Sequence, residues 1–352
     1  MHSSTSSTSE PLARARLVER LLELAQQRTR LLVLTHCNPD PDSLASSLGL
    51  RHLVHTKLGM RSDFGLAGRI MRAENKEMVR SLGLDMLPVD DLDIEDYDCI
   101  ALVDTQPGFG HTTLPDGRTV DIVIDHHVPP ETRETDMAPS FVDIRTEIGA
   151  TSSMVTGYLM DAGVEVPANV ATALFYGIRT DTADLARNAS PLDEQAYNFL
   201  ISRVDRGALA RITRPALPLE YYKALRAALN GIRIFGHVVL CSLGKIPNAE
   251  MVAEVADLLL RLEDKQAVFC GGLVGNTYHV SVRCEVGMRD AWFLIRDALG
   301  GDGTFGGHGT VAGGSIVLPD DTARTMKRVE RKLERNILRS NGLEGTTVIG
   351  IG

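Results

Sequence analysis

The sequence predicts an α/β protein with a parallel sheet covered by helices on both faces, and a smaller α/β domain facing it across a cleft. Short apolar runs of strand length, LLVLT, CIALVD and VDIVID, alternate with longer segments that have apolar residues at helical spacing. Strands that are covered on both faces are apolar throughout, and these three runs have that character. The chain of 352 residues is also long enough for two hydrophobic cores.

The first half of the chain begins with a polar tail and continues into the predicted sheet domain, residues 11–205. Its predicted elements are a disordered tail (1–10), helices at 11–28 and 43–59, strands at 31–35, 99–104 and 120–125, and buried helices at 149–162 and 168–180. Pro11 suits the first turn of a helix, and Gly59 suits a helix end because glycine readily adopts a left-handed conformation.

The second half starts where Arg, Pro and Gly interrupt the periodic pattern, between residues 205 and 218. We therefore predict a connecting segment (206–231), a second domain (232–340) and a tail (341–352). The predicted elements are helices at 219–230, 249–262, 289–299 and 321–339, a strand at 235–243, and a hairpin formed by 267–275 and 278–286. A glycine-rich stretch (300–316) precedes the last helix, whose Lys and Arg side chains are typical of a solvated helix face.

The net charge, the cysteines and the lengths of the apolar runs indicate which classes of protein and which compartment suit this sequence. A formal net charge of −9 argues against a protein that binds long duplex DNA through its phosphates, but it leaves room for a small phosphorylated substrate. The five scattered cysteines favour free thiols in a reducing compartment, so we expect a cytoplasmic protein. We expect no membrane contact, because the sequence has no run of about 18 uncharged apolar residues and its N-terminus lacks a hydrophobic signal core.

The motif THCNPDPDS follows the first predicted strand and opens the next helix. It places His36, Asp40 and Asp42 within seven residues, and an imidazole with two carboxylates can converge on a divalent cation. Ligands of an open parallel sheet bind beyond the carboxyl ends of the strands, where this loop is expected to lie. The alternative interpretation is that Asp42 or Ser43 only caps the helix.

The next two strands also end in potential ligands. Asp104 ends the second strand, and the third strand runs into IDHH, with Asp125, His126 and His127. Adjacent histidines in an extended chain point to opposite sides, so one could bind a metal while the other faces a substrate, with Asp125 orienting a ring. Because parallel strands share a direction, all three ends are expected on one edge of the sheet. Asp181 follows a buried helical run and joins them as a candidate ligand.

Together, these side chains suit two divalent metal ions that share a carboxylate. The six candidate ligands are His36, Asp40, Asp42, Asp104, His126 and Asp181. Carboxylate and imidazole ligands without thiolate favour Mn²⁺, with Mg²⁺ or Co²⁺ as alternatives, over structural zinc. Paired metals about 3.5–4 Å apart hold the attacking and leaving oxygens in phosphoryl displacement, so the pattern predicts that type of chemistry.

The glycine-rich stretch of the second half surrounds one histidine, His308. Gly306, Gly307 and Gly309 would let the backbone approach a bound anion closely, and the alternative interpretation is a flexible loop. Arg283, in the neighbouring predicted strand, could hold a phosphate, and its alternative is an exposed strand arginine.

In this order, the motifs THCNPDPDS, VDTQ, IDHH and GIRTDT resemble the four motifs of the DHH phosphoesterase superfamily. GGHGTVAGG resembles the glycine-rich histidine motif of the DHH-associated C-terminal domain, and the whole resemblance covers roughly residues 28–318. Within the superfamily, the chain looks like the oligoribonuclease (nanoRNase) and pAp-phosphatase subgroup. That resemblance implies degradation of short RNA, linear pApA, cyclic dinucleotides or 3′,5′-bisphosphate nucleotides with two Mn²⁺ ions.

The resemblance also implies a role for each site residue. His36 and Asp40 would bind one metal, Asp42, His126 and Asp181 would bind the other, and Asp104 would bridge the two. The implied catalytic residues are His127, which would face the scissile phosphate, together with Asp104 and Asp125. The implied substrate-binding residues are Thr151, Ser152, Ser153, Arg283, Gly306, Gly307 and His308.

The sequence thus predicts a two-metal hydrolase of short phosphorylated nucleotides that releases nucleoside monophosphates. The rival predictions are a polyphosphatase or pyrophosphatase, which shares the first four motifs, a processive single-strand exonuclease, and a nucleotide sensor without catalysis. The expected partner is short RNA, a dinucleotide or a mononucleotide. A homodimer is also compatible with the sequence, because the apolar helices within 149–180 could pack inside the fold or against a second subunit.

Overall fold

The computed structural model describes residues 9–109, 111–112, 114, 117–129 and 138–350. The chain divides into two compact units, Met1–Pro215 and Ala216–Gly352. Residues 1–8 of the predicted tail lie outside the described residues. Residues 9 and 10 already belong to the first helix, so the predicted helix start at residue 11 was two residues too late.

The first unit is built on a parallel sheet. Its strands are β1 (Arg30–Leu34), β2 (Arg61–Leu66), β3 (Leu87–Pro88), β4 (Cys99–Val103), β5 (Ile122–Asp125) and β6 (Phe141–Ile144). Its helices are α1 (Ser9–Gln26), α2 (Pro41–Leu58), α3 (Ala73–Leu82), α4 (Thr151–Asp161), α5 (Ala168–Asp181), α6 (Pro191–Ile201) and α7 (Arg206–Thr213), with short 3₁₀ helices at Val89–Asp91 and Ile94–Asp96. The strand order is β3-β2-β1-β4-β5-β6 and every neighbouring pair is parallel, which confirms the predicted α/β class.

Both faces of this sheet are buried, as the apolar character of its central strands predicts. Successive residues of β1 alternate between two hydrophobic clusters, because strand side chains point to opposite faces. Leu31 and Val33 belong to the cluster that the α-helices cover, and Leu32 and Leu34 belong to the other, which the 3₁₀ segment around Ile94 covers. All four side chains are at most 1% exposed, so polar groups appear only where the strand ends.

Helix α2 carries the first ligand motif at the carboxyl edge of the sheet. Asp40 caps its N-terminus by accepting a hydrogen bond from Ser43 N at 2.9 Å, and Pro41 occupies the first turn. Capping by Asp42 or Ser43, the alternative interpretation of this motif, is therefore wrong. Gly59 ends the helix with a φ of +65°, as its position in the sequence predicts.

The second unit contains a mixed sheet of seven strands. Its elements are α8 (Leu219–Asn230), β7 (Arg233–Phe235), β8 (Val238–Lys245), α9 (Glu250–Leu259), β9 (Ala267–Val274), β10 (Thr277–Cys284), α10 (Ala291–Leu299), β11 (Thr304–His308), β12 (Val311–Val317), α11 (Ala323–Ser340) and β13 (Ile349–Gly350). The strand order is β11-β12-β10-β9-β8-β7-β13, with β8 and β9 parallel and the other neighbouring pairs antiparallel. Helices α8 and α9 pack on one face, and α10 and α11 pack on the other. Across the described ranges of both units, every helix is too short or too polar to span a lipid bilayer.

Two segments of the second unit differ from their predicted structure. The glycine-rich stretch forms the hairpin β11–β12 instead of a flexible loop, and β11 is an edge strand. Part of the predicted tail forms β13, in which Ile349 pairs with Ile234 of β7. Glycine has a low strand propensity, and β13 has two residues, so local sequence patterns carry little signal for either element.

A candidate metal centre at the carboxyl edge of the parallel sheet

The six side chains that were predicted as metal ligands meet at the carboxyl edge of the parallel sheet. They are His36, Asp40, Asp42, Asp104, His126 and Asp181, and together with His127 they form three overlapping groups of potential ligand atoms. Three of them follow the strands β1, β4 and β5, two flank the start of α2, and the sixth ends α5. Within each group, the ligand atoms lie within 4.8 Å of one another.

Asp104 lies at the centre, with one carboxylate oxygen toward each half of the cluster. Its Oδ2 lies 3.8 Å from His36 Nε2, and that nitrogen lies 3.9 Å from Asp40 Oδ1. Its Oδ1 lies 3.6 Å from His126 Nε2, which lies 3.4 Å from Asp181 Oδ2 and 4.0 Å from Asp42 Oδ2. Two ligand atoms that each bond one ion at about 2.1 Å are separated by roughly 3–4 Å, so these spacings suit divalent cations.

Asp104 adopts a left-handed backbone conformation directly after β4, with a φ of +59°. Residues other than glycine rarely adopt this conformation. The turn is stabilised because Asp104 N donates a hydrogen bond to Ile124 O at 2.9 Å. The carboxylate accepts hydrogen bonds from Ser43 Oγ at 2.5 Å and from Thr151 Oγ1 at 3.0 Å. Each oxygen is therefore oriented by a hydroxyl and keeps a second lone pair for a cation.

The carboxylate of Asp42 is oriented by the N-terminus of α4. Thr151 N and Ser152 N donate hydrogen bonds to its two oxygens at 2.7 and 2.8 Å, which satisfies N–H groups that a helix start leaves free. Thr151, Ser152 and Ser153 are fully buried. Because α4 begins against α2, Thr151 and Ser152 contact candidate ligands. That these three residues line the substrate cleft stays a prediction.

The two histidines among the candidate ligands each have one ring nitrogen next to a backbone carbonyl. His36 Nδ1 lies 3.0 Å from Cys37 O and His126 Nδ1 lies 3.2 Å from Ile148 O, so we assign the proton of each neutral ring to Nδ1. The Nε2 lone pairs are then available to a metal. His126 Nε2 is buried and has no hydrogen-bond partner among the described residues, which is unfavourable unless a cation binds there. The donor set therefore fits a divalent metal.

Burial makes three of the four carboxylates of this cluster, those of Asp42, Asp104 and Asp181, difficult to ionise in the absence of a cation. Burial and the nearby charge of Asp104 raise the pKa of Asp42 to about 7. Burial likewise raises the pKa of Asp104 to about 6 and the pKa of Asp181 to about 7. A bound divalent cation would supply positive charge and favour the ionised form of all three groups.

The pKa values of the imidazoles indicate surplus negative charge at the same place. Burial alone would lower the pKa of His126, but the carboxylate of Asp181, 3.4 Å from Nε2, and the charge of Asp104 help to raise it to about 11. Burial also disfavours the charged form of His127. The hydrogen bond to Asp125 and the negative charge of Asp104 outweigh burial and raise the pKa of His127 to about 9. Surplus negative charge of this kind attracts cations.

His127 differs from the two candidate ligand histidines in its exposure and in its partner. Its side chain is 40% exposed, and its Nδ1 lies 2.8 Å from Asp125 Oδ1. Asp125 is fully buried and also accepts hydrogen bonds from His126 N at 2.8 Å and from His127 N at 3.2 Å. Gln106 Nε2 donates to His127 O at 2.8 Å. The ring is thus fixed at the solvent side of the cluster, and Asp125 acts as a positioning residue.

Sequence reasoning did not assign three residues that support this site. Ser43 was considered only as a helix cap, although its hydroxyl orients Asp104. Ile148 contributes a backbone oxygen, which no sequence pattern marks. Gln106 lies inside the VDTQ motif, and that motif was the one available signal for it.

In the second unit, the predicted substrate-binding residue Arg283 is buried and already has partners. Its side chain is paired with Asp257, and it donates a hydrogen bond to Ser281 Oγ at 2.8 Å. Arg283 is 8% exposed, so its alternative interpretation as an exposed strand arginine is wrong. Its role in binding substrate stays a prediction.

Gly306 and Gly307 of β11 are glycines for different reasons. Gly307 has a φ of +134°, and a Cβ there would lie 2.4 Å from Ala312 Cα, so the fold itself requires glycine. A Cβ on Gly306 would meet no atom within 4 Å, so the fold tolerates a side chain at that position. His308 ends the strand, and its side chain lies outside the described part of the structure. Substrate binding by these residues stays a prediction.

Comparison with protein families gives a match for the part of the chain that contains the candidate metal centre. Residues 30–178 match the model described as "DHH family, N-terminal domain". The match begins at the first residue of β1 and ends within α5, three residues before Asp181. It therefore contains five of the six candidate ligands.

Comparison with individual proteins gives likenesses that extend over both units. "Uncharacterized protein MJ1633" from Methanocaldococcus jannaschii is 37% identical over 93% of this chain, and the chain spans 65% of that relative's length. Among solved structures, an exopolyphosphatase-related protein from Bacteroides fragilis has a TM-score of 0.69 at 16% identity, covering 93% of this chain and 98% of that one. RecJ from Thermus thermophilus, in complex with Mn²⁺, has a TM-score of 0.51 at 15% identity, covering 94% and 55%. Both structures show a similar fold.

Proposed function

Because residues 30–178 of this chain match the model described as "DHH family, N-terminal domain", we propose that the protein is a metal-dependent phosphoesterase. Its proposed substrates are short phosphorylated nucleotides: oligoribonucleotides such as pApA, linear or cyclic dinucleotides, and pAp, with release of nucleoside monophosphates. One observation carries the proposal: Asp104 presents its two oxygens to two groups of ligand atoms, one around His36 and one around His126. Hydrolysis of phosphate esters by paired metals uses a shared ligand set of this kind.

The proposed cofactors are two divalent cations. His36 and Asp40 would hold one cation, Asp42, His126 and Asp181 would hold the other, and Asp104 would contact both. The four carboxylates of this set carry four negative charges, which two divalent cations would balance. Mn²⁺ is the first candidate, with Mg²⁺ or Co²⁺ as alternatives, because the ligands are carboxylates and imidazoles. The Mn²⁺ complex of the structurally similar RecJ supports this choice.

The residues of the chain itself provide the geometry for this chemistry. When bound, the metals would supply Lewis acidity, which activates water and stabilises the charge that develops on the phosphoryl group. Thr151 and Ser43 orient the carboxylate of Asp104, so little rearrangement is needed when substrate binds. Asp125 holds Nδ1 of His127, which leaves the other ring nitrogen of this exposed residue to contact the phosphate.

The direct test is hydrolysis of pApA by the purified protein with Mn²⁺, measured by chromatography of AMP. We expect AMP release by the wild type and at least about a hundredfold slower release by Asp104→Asn, which lacks one charge of the shared carboxylate. Asparagine suits this control because it tolerates the left-handed conformation at position 104.

Other substrates separate this proposal from its rivals. No AMP from a folded, metal-loaded protein would refute hydrolysis of dinucleotides. Release of phosphate from pAp would then indicate a phosphomonoesterase, and release from polyphosphate would indicate a polyphosphatase. Failure on all three substrates, with nucleotide binding retained, would leave the nucleotide sensor.

A further inference from the structure

The second unit carries an exposed aromatic cluster that the candidate metal centre does not explain. Trp292, the single tryptophan of the chain, is 36% exposed at the start of α10, and Phe293 beside it is 40% exposed. The centroid of the Trp292 ring lies 5.0 Å from that of Phe293 and 5.5 Å from that of Phe305 in β11. Clustered aromatic side chains at a protein surface expose apolar area to water, and such patches mark binding sites.

Two arginines border this aromatic cluster. Arg296 Cζ lies 5.3 Å from the Trp292 ring centroid, and Arg289 Cζ lies 5.1 Å from the Phe293 ring centroid. Both guanidinium groups donate to one carboxylate, Asp297, at 2.6 Å from Arg289 Nη1 and 3.0 Å from Arg296 Nε. The two guanidinium groups share this carboxylate and lie beside the aromatic rings. Aromatic rings combined with positive charge suit a nucleobase that is linked to a phosphate.

Hydrogen bonds fix the aromatic cluster to the glycine-rich hairpin. Asp290 caps α10 by accepting a hydrogen bond from Trp292 N at 2.8 Å, and its other oxygen accepts one from Gly309 N at 2.7 Å. Ala291 N donates to Gly309 O at 2.8 Å. The same hairpin contains Gly306, whose missing side chain leaves open space. Trp292 is therefore supported by a helix cap and a strand turn, which limits the entropy that it loses when a ligand stacks on it.

We propose that Trp292 is a stacking platform for a nucleobase of the substrate, with Arg289 and Arg296 supplying positive charge beside it. This inference rests on the proposed function and narrows it, because the substrate must then contain a base as well as phosphate. It therefore favours nucleotides over polyphosphate. Every base has a π face, so stacking of this kind tolerates different bases and predicts a weak base preference.

The single tryptophan makes the platform measurable in the wild-type protein. Titration with pApA in EDTA should quench the emission of Trp292 saturably, whereas tripolyphosphate, an anion without a base, should leave the emission unchanged. EDTA prevents metal-dependent turnover, so this titration is independent of the proposed activity. Quenching without Mn²⁺-dependent hydrolysis in a separate assay would retain the platform and refute the hydrolase. Absence of quenching by pApA would overturn the platform, whatever the hydrolysis assay shows.

Variants test whether the platform contributes to turnover. Trp292→Ala should raise KM for pApA roughly tenfold or more with a smaller change in kcat, and Trp292→Phe should restore most of the affinity. Tyr222→Ala is the matched control, because Tyr222 is another exposed aromatic residue of the second unit, in α8, and KM should stay unchanged. An unchanged KM in Trp292→Ala, or an equal increase in Tyr222→Ala, would overturn the proposal.

Emission that changes with protein concentration and not with pApA would overturn it too, in favour of self-association through this patch.

Discussion

Thr151 connects the two halves of the candidate metal centre through its backbone and its side chain. Its N–H donates to Asp42 Oδ2 at 2.7 Å, and its hydroxyl donates to Asp104 Oδ1 at 3.0 Å. Both acceptors belong to candidate metal ligands, and Thr151 itself is fully buried. Residues that orient ligands in this way contribute to metal affinity without contacting the metal.

Thr151→Val should therefore lower Mn²⁺-dependent activity roughly 10- to 100-fold while the fold is retained. Valine has nearly the same shape, so Asp104 loses one donor whereas the backbone hydrogen bond to Asp42 remains. The measurements are kcat/KM for pApA and the Mn²⁺ concentration at half-maximal activity. Thr156→Val is the matched control, because it removes a buried hydroxyl of the same helix that donates to Ser152 O at 2.7 Å. Equal losses in the two variants would contradict an orienting role for Thr151.

At the residue scale, sequence patterns indicate the candidate ligands better than the residues that support them. His36, Asp104 and His126 could be predicted because each follows a strand, and parallel strands bring their ends to one edge of a sheet. Thr151 lies in a different segment, and its hydrogen bonds to the ligands depend on how α4 packs against α2. Tertiary contacts determine that packing, so no local pattern in the sequence carries it.

At the element scale, helices α2 and α5 approach each other closely because their contact contains glycine. A Cβ on Gly177 would lie 2.5 Å from Ser152 Oγ, 3.1 Å from Ala45 Cβ and 3.2 Å from Asp42 Cα. Asp42 lies in α2 and Asp181 lies in α5, and both belong to one group of candidate ligands. The separation of the two helices therefore determines the spacing of these two carboxylates.

Gly177→Ala should destabilise the protein by about 1–3 kcal/mol and weaken Mn²⁺ binding, because the added methyl group must move α5 away from Ser152 of α4 and from α2. In an unconstrained helix interior, the same change stabilises by roughly 1 kcal/mol. Chemical denaturation measures the free energy of unfolding, and Mn²⁺ titration measures the affinity. Gly207→Ala is the control, since Gly207 is an exposed glycine in α7, and it should leave the Mn²⁺ affinity unchanged. A more stable Gly177→Ala protein would refute the tight contact.

The hairpin β11–β12 contains two neighbouring glycines, Gly306 and Gly307. Substituting each one separates what the fold requires from what substrate binding requires. Gly307→Ala should destabilise the protein by at least about 2 kcal/mol, because both the backbone conformation and the contact with Ala312 exclude a side chain. Gly306→Ala should change stability by less than about 1 kcal/mol, since its Cβ meets no neighbour. If substrate approaches this backbone, Gly306→Ala nevertheless raises KM for pApA. A stable variant with wild-type KM would remove Gly306 from the predicted substrate-binding residues.

Sequence patterns also predicted the central strands of the first sheet and missed its outer strands. The strands β1, β4 and β5 are apolar and almost entirely buried. In contrast, β2 (RSDFGL) is partly exposed, β6 (FVDI) alternates between buried and less buried residues, and β3 has two residues. Short or half-exposed strands have a weak periodic signal, and pairing with a neighbouring strand decides their structure.

At the scale of the whole molecule, each unit has a hydrophobic core of its own. The buried clusters of the first unit contain residues between Val18 and Ile212, and those of the second contain residues between Ala224 and Ile337. All candidate metal ligands belong to the first unit, and the single tryptophan, Trp292, belongs to the second. Metal binding and tryptophan emission therefore report on different units of the same chain.

Mn²⁺ should stabilise the first unit selectively. At about 100 times its Kd, a ligand of the native state adds roughly 2.7 kcal/mol, which raises the unfolding temperature of a unit of this size by roughly 5–10 °C. Circular dichroism reports the unfolding of both units, so part of its thermal transition should move to higher temperature. The thermal transition in Trp292 emission should stay unchanged. Asp104→Asn should abolish the shift, because the shared carboxylate is lost. A tryptophan transition that also moves would show that both units unfold as one, and no shift in either signal would argue against a metal at this site.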